Sequence, residues 1–283
     1  MKNLNNIYIF TVIFFLCALG VSAQSISKTS IDLFLSDSII DKTNMKDVPF
    51  INSVCVTKNR YILLSSKDSL YFVGYGGYRT YKPIAKNITA FCISDSSIYC
   101  VEKNRIFQIN SRKGETLLMK LSFTPFNMWG GENLIYASSI EKGENLLYVI
   151  YPKTKKVKRL LHLENKIVSV VEYNTNIYVF TSNELIIVNS KNSSYITIPL
   201  PQTIIKGISS AVIDKNRGGI FFSCIDGLYR FYNQELHKLY SDNGILCYDE
   251  DGLILFNASQ HFLVRLRNNM IYPQPKDIII EIK

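Results

Sequence analysis

Short apolar runs alternate with short polar ones along most of this chain, and one phrase keeps returning. It consists of an apolar strand, a polar turn, a second apolar strand, another polar turn, and then an aromatic-aliphatic strand. The first copy is Ser53-Val-Cys-Val-Thr, Lys58-Asn-Arg, Tyr61-Ile-Leu-Leu, Lys67-Asp-Ser, Leu70-Tyr-Phe-Val. The second runs from Ala90-Phe-Cys-Ile through Ile98-Tyr-Cys-Val to Ile106-Phe-Gln-Ile. Copies begin near residues 53, 90, 126, 169, 210 and 245, a period near 38. A further strand follows each of the first five, at Arg79-Thr-Tyr-Lys, Glu115-Thr-Leu-Leu-Met, Lys156-Val-Lys-Arg-Leu, Tyr195-Ile-Thr-Ile and Glu235-Leu-His-Lys-Leu.

Four strands in about 40 residues is one propeller blade. The middle strands are apolar on both faces, as they must be where neighbouring blades cover both. Strict alternation in Lys156-Val-Lys-Arg-Leu marks an outer strand with one face in water. A β-sandwich also accommodates short strands with regular turns, but has no reason to repeat one four-strand phrase six times. No segment holds a 3.6-residue apolar period, which excludes helical solenoids. The pattern therefore predicts an all-β fold, a β-propeller of about six four-stranded blades, filling residues 24–283 as a single domain.

Residues 1–23 have a different pattern. Lys2 precedes a nearly unbroken apolar run from Ile7 to Leu19, and Gly20-Val21-Ser22-Ala23 ends it in small residues. This is the signature of a secretory signal peptide cleaved before Gln24. The run is shorter than the roughly 20 residues a spanning helix needs. Leu16 stands where a lipobox before Cys17 would carry Gly or Ala. A periplasmic, extracellular or cell-surface location is expected, with no membrane span in the mature chain. Within residues 24–50, the strand-like Ile31-Asp-Leu-Phe-Leu is expected to pair into the last blade and close the ring, in preference to the C-terminal Asp277-Ile-Ile-Ile-Glu-Ile. Closure removes an exposed sheet edge.

The fifth copy, Gly218-Gly-Ile-Phe-Phe-Ser-Cys-Ile-Asp-Gly227-Leu-Tyr229-Arg-Phe231, resembles the propeller repeat in the sensor regions of two-component regulators. Gly218, Gly227, Leu228, Tyr229 and Arg230 match that repeat in register. Phe221 stands for its usual Trp, Ser223 for its Gly and Cys224 for its Thr. The resemblance covers one blade of six and implies the fold. It carries over no catalytic residue, because the repeat residues are structural.

Hydrophobic residues make up 47% of the chain, which excludes general disorder, and abundant Tyr and Phe favour strands. The formal charge of +9 suits solubility or an acidic partner; an exported chain is not expected to meet nucleic acid. Lys153-Thr154-Lys155-Lys156 is the nearest approach to a basic run and reads as a hairpin tip. Five cysteines follow the signal segment, with no C-x-x-C pair, and the whole chain has three histidines. No metal site and no cofactor are expected from that inventory. Cys92 and Cys100 flank a tight hairpin and read as buried thiols rather than a bridge. His162 and His237 fall in outer strands, whereas His261 follows a turn that faces the central cleft.

In a propeller, the turns joining second to third strands and the loops joining one blade to the next share one face. That face is expected to collect Lys67, Asp68, Lys103, Arg105, Phe126, Glu141, Lys142, Lys206, Asp242, Asn243 and His261, with an insertion at Ser139–Asn145 as a rim. Loops on a rigid scaffold are the usual home of binding residues. The leading expectation is an exported binding module for a protein or glycan partner, its candidate contacts being Lys103, Arg105, Phe126, Glu141, Lys206, Asp242, Asn243 and His261. An enzyme of the lyase or glycan-cleaving kind is the alternative, and scarce histidine with no Gly-x-Ser-x-Gly counts against it. A structural part of a cell-surface assembly is the third reading.

Overall fold

The structure is a computed structural model that describes residues 40–44, 51–56, 62–66, 68–73, 83–110, 114–199, 207–213, 219–232, 235–249, 252–257 and 262–267. All of them belong to the unit Ser30–Asp277. A lone first strand, β1 (Ile40–Asn44), precedes the blades. Blade 1 is β2 (Ile51–Val56), β3 (Ile62–Ser66), β4 (Ser69–Val73) and β5 (Pro83–Lys86). Blade 2 is β6 (Ala90–Ser94), β7 (Ser97–Glu102), β8 (Arg105–Asn110) and β9 (Gly114–Lys120). Blade 3 comprises β10 (Asn127–Gly130), β11 (Ile135–Glu141), β12 (Glu144–Tyr151) and β13 (Lys156–Leu163). Blade 4 comprises β14 (Ile167–Tyr173), β15 (Asn176–Thr181), β16 (Glu184–Asn189) and β17 (Tyr195–Pro199). Blade 5 is β18 (Ser210–Ile213), β19 (Ile220–Cys224), β20 (Gly227–Tyr232) and β21 (Glu235–Tyr240). The last three strands are β22 (Ile245–Asp249), β23 (Gly252–Asn257) and β24 (Phe262–Arg267).

Each blade is an antiparallel meander, and the sixth sheet has the order β1-β24-β23-β22. The first strands β2, β6, β10, β14, β18 and β22 touch in that sequence, and β22 touches β2 again. Six sheets thus stand around an axis lined by their first strands, which is a β-propeller. The expected repeat starts coincide with these inner strands to within two residues. The strand that completes the last sheet is β1, running antiparallel to β24 from Ile40 opposite Leu266 to Asn44 opposite Phe262. It lies further along the chain than the expected Ile31–Leu35, which falls outside the described residues.

Among the described residues, apolar clusters fill five interblade junctions. Leu63, Leu70, Phe91 and Cys100 lie between blades 1 and 2, and Cys92, Tyr99, Val101, Met128 and Ile135 between blades 2 and 3. Tyr136, Leu147, Val149, Val179 and Val188 fill the next gap, followed by the Phe180–Phe222 and Phe221–Leu255 clusters. A middle strand must therefore be apolar on both faces, because it feeds two clusters at once. Burial of each such side chain contributes about 1.5–3 kcal/mol. Gly130 is required where inner strands converge, because a Cβ there would sit on the carbonyl of Ile93.

Two local expectations are corrected. The fourth strand of blade 1 is Pro83–Lys86 and not Arg79–Lys82, which lies outside the described residues. Proline is tolerated there because an outer strand needs no N–H on its free side. Ser139–Asn145 is no looped insertion: β11 and β12 continue pairing to Glu141 opposite Glu144. Lys142 and Gly143 alone turn the chain, both at positive φ (52° and 87°), the two-residue turn that matches strand twist.

Candidate binding face

The topology puts the second-to-third strand turns and the interblade loops at the same end, called the upper face below. Hydrogen bonds tie the two kinds of loop together. Leu121 N–H donates to the Asn104 carbonyl at 2.8 Å, and Asn104 Nδ2 donates back to the Leu121 carbonyl at 2.9 Å. Ile88 N–H donates to the Asp68 carbonyl at 2.9 Å, and Ser209 N–H to that of Ser223 at 2.9 Å. The rim is therefore a hydrogen-bonded frame and its tips are preorganised.

Lys103 occupies the β7–β8 turn at φ 56° with its side chain exposed. Arg105 opens β8 and forms an ion pair with Glu102. Phe126 ends the loop from blade 2 to blade 3, where its N–H donates to the Ser138 carbonyl at 2.7 Å. Its ring stays 49% exposed. Glu141 accepts from the Tyr148 hydroxyl at 2.8 Å, and Tyr148 stacks on Phe123 with centroids 3.8 Å apart. Burial pushes the Tyr148 hydroxyl above its ordinary pKa, and the bond to Glu141 and its charge add to that. Asp242 is half-buried, and Asn243 Nδ2 donates to the Ile225 carbonyl at 2.8 Å. Lys206 and His261 lie outside the described residues, as does Lys67. Phe126 and Glu141 share blade 3, while Lys103 and Arg105 belong to blade 2 and Asp242 and Asn243 to the loop between blades 5 and 6.

Three residues of this face were not singled out by sequence. Lys166, in the loop between blades 3 and 4, sets its ammonium 5.2 Å from the Phe126 ring centroid and so links two adjacent interblade loops. Ile140 projects near the tip of the β11–β12 hairpin, 53% exposed. Ile225 stands in the two-residue β19–β20 turn, 70% exposed. The last carries a readable signal, since a bulky β-branched residue sits where turns take Gly, Asn or Asp. His162 pairs with Glu144 at 3.0 Å on an outer strand. Among the described residues, no group of three or more His, Cys, Asp or Glu side chains could hold a metal ion.

The described residues of the fifth-copy motif, Gly227 to Arg230, hold structural positions. A Cβ on Gly227 (φ 142°) would press on the Tyr240 carbonyl. Leu228 is fully buried, and Arg230 is buried with its guanidinium 5.8 Å from the Phe221 centroid. Tyr229 donates to Asp226 and stacks on Phe222, and burial first, then Asp226, raises its pKa.

No family model matches the chain, and no curated protein matches it in sequence. Solved structures do. The extracellular domain of the hybrid two-component system BT4673 from B. thetaiotaomicron aligns at 17% identity and TM-score 0.53 over 83% of this chain and 34% of that one. The likeness bears out the sensor-propeller resemblance, and this chain spans about a third of the length of that extracellular domain. XC5397 of Xanthomonas campestris, a gluconolactonase, aligns at 12% identity and TM-score 0.64 over 84% of this chain and 93% of that one. YCF48 bound to D1 peptide aligns at 10% identity and TM-score 0.55, covering 86% and 87%. Identities this low carry the fold and not the activity. No helix among the described residues is long and apolar enough to cross a membrane.

Proposed function

We propose that this chain is an exported β-propeller interaction module that holds a protein partner on its upper face. The observation that carries the reading is the set of apolar side chains held out on rigid tips, Ile225 above all, at 70% exposure. An apolar group held on a rigid loop tip loses little freedom when a partner covers it, and a few such buried anchors dominate the energetics of protein interfaces. Lys103, Arg105, Glu141, Lys166 and Asn243 surround them as a polar rim of the kind that gives specificity and register. YCF48, which shares the fold, is solved with a peptide bound. Export rests on the N-terminal pattern and agrees with the extracellular setting of the BT4673 domain.

The test is recovery of a partner from the extracellular fraction. The double variant Phe126→Ala, Ile225→Asp should abolish recovery of a partner that the parent chain captures. Leu117→Ala, at an exposed site on an outer strand, should leave it intact. Undiminished recovery by the folded double variant would place the interface elsewhere.

A further inference from the structure

Lys153, Lys155, Lys156, Lys158 and Arg159 place five cations within seven positions of the β12–β13 hairpin, and all five are exposed. Lys153 lies 3.8 Å from Asp95 and donates to Asn133 Oδ1 at 3.0 Å. Among the described residues, no ion pair joins the other four to a carboxylate. This concentration lies on an outer strand, away from the upper-face tips.

The strand register fixes where these side chains point. Lys158 is opposite Val149, whose side chain belongs to the cluster between blades 3 and 4. Lys156, two residues earlier, shares that side because strand side chains alternate. On the outer strand of blade 4, Tyr195 is opposite Val188 and Thr197 opposite Ile186, both of the same cluster. All four therefore turn toward one interblade space from its two walls. Lys158 Nζ spans it to Ser193 Oγ at 3.1 Å. At the end of the blade 4 wall opposite the upper face, the turn Ser190-Lys191-Asn192-Ser193-Ser194 adds another cation and a row of exposed hydroxyl and amide groups. The Tyr195 ring is 59% exposed beside them.

We propose that this outer groove between blades 3 and 4 binds an anionic polysaccharide. Its carboxylate or sulfate groups meet Lys156, Lys158 and Lys191, and a sugar face lies on the Tyr195 ring. Cations arrayed along an extended strand repeat at about 6.6 Å on one face, which suits a linear polyanion better than a point charge. Cations that line a groove are poorly placed for a flat bilayer. An acidic protein would want several desolvated anchors, and the groove offers one aromatic ring.

Heparin serves as the sulfated probe and polygalacturonate as the carboxylated one, against the full chain at several salt concentrations. The parent should bind at least one of them. Lys156→Glu with Lys158→Glu should weaken binding about tenfold or more and flatten its salt dependence, because fewer counterions are released. Tyr195→Ala should weaken binding several-fold and leave the salt dependence unchanged. Lys86→Glu with Lys120→Glu, an equal change of charge at exposed sites on other blades, should have little effect. Equal losses in both charge-reversed pairs would reduce the effect to net charge and overturn the proposal. So would an inert Tyr195→Ala, or no binding to either probe. Preference for phosphatidylglycerol vesicles over both glycans, lost in the first pair, would reassign the groove to a membrane surface.

Discussion

Ser169 Oγ donates a buried 2.6 Å hydrogen bond to the carbonyl of Ala211, joining the inner strand of blade 4 to that of blade 5. The same device recurs around the axis. Leu246 N–H donates to Ser210 Oγ at 3.0 Å, and Ser94 Oγ to the Gly131 carbonyl at 3.1 Å. Inner strands of neighbouring blades share no backbone ladder, so serine hydroxyls supply the polar link between them. Ser169→Ala should cost about 1–2 kcal/mol. Thermal unfolding should then fall by a few degrees, roughly 2–4 °C per kcal/mol for a domain of this size. An unchanged melting temperature would show that the hydroxyl bond adds nothing to blade cohesion.

The pairing of β1 with β24 makes a distinct demand on the N-terminal segment. Without β1, the backbone of β24 becomes a free sheet edge and the two ends of the ring lose their tie. A chain beginning at residue 47 should melt many degrees lower and associate at high concentration. A chain beginning at residue 37 keeps β1 and should match the parent. Light scattering and melting curves on the two truncations decide the point, and identical curves would make β1 dispensable.

The cysteines set a boundary at alkaline pH. Cys92 and Cys100 do not bridge: Cys92 joins the cluster between blades 2 and 3, and Cys100 the one between blades 1 and 2, on opposite faces of their sheet. Burial, with smaller contributions from Glu115 and Glu102, pushes the Cys100 thiol from 9.0 up to about 12. Burial and then Asp226 bring Cys224 to about 12, and burial alone does so for Cys55. Folded values above the unfolded one stabilise the native state in full below about pH 9. That contribution is lost as the pH climbs toward 12, by up to about 1.4 kcal/mol per unit for each thiol. Urea midpoints should hold up to pH 9 and fall beyond it. Iodoacetamide at pH 8 should label these thiols slowly until denaturant is added. Rapid labelling of the native chain would contradict the burial.

The architecture was legible because a blade's middle strands must be apolar on both faces, and that constraint repeats with the blade. Ala90, Asn127 and Ser210, which begin three inner strands, fall at or within one residue of the expected repeat starts. The closing strand was harder to see. Ile40-Asp-Lys-Thr-Asn is polar, and it earns its place by pairing an edge rather than by filling a core. The upper-face residues were placed by loop arithmetic alone, which says which end of the ring a loop occupies and not which side chains meet. Lys166 over Phe126 depends on the packing of two blades, and no spacing in the sequence records it.

Ile225 allows binding to be separated from stability. Its side chain is 70% exposed, so Ile225→Ser should shift the unfolding free energy by no more than about 0.5 kcal/mol. Its carbonyl, however, is held by Asn243 Nδ2 from the loop between blades 5 and 6. Asn243→Ala leaves the isoleucine in place but frees the turn that presents it. If the upper face binds through preorganised apolar tips, both variants should weaken capture of the partner. Ile225→Ser should do so mainly through faster dissociation, because it removes contact area. Asn243→Ala should do so by the cost of re-ordering the turn, and recover part of the loss in Asn243→Asp, whose carboxyl cannot donate when ionised, only at a pH low enough to protonate it. Affinity measured by surface plasmon resonance, with melting curves as the control, distinguishes the routes. Full affinity in Ile225→Ser would exclude the tip as an anchor, even if the rest of the face binds.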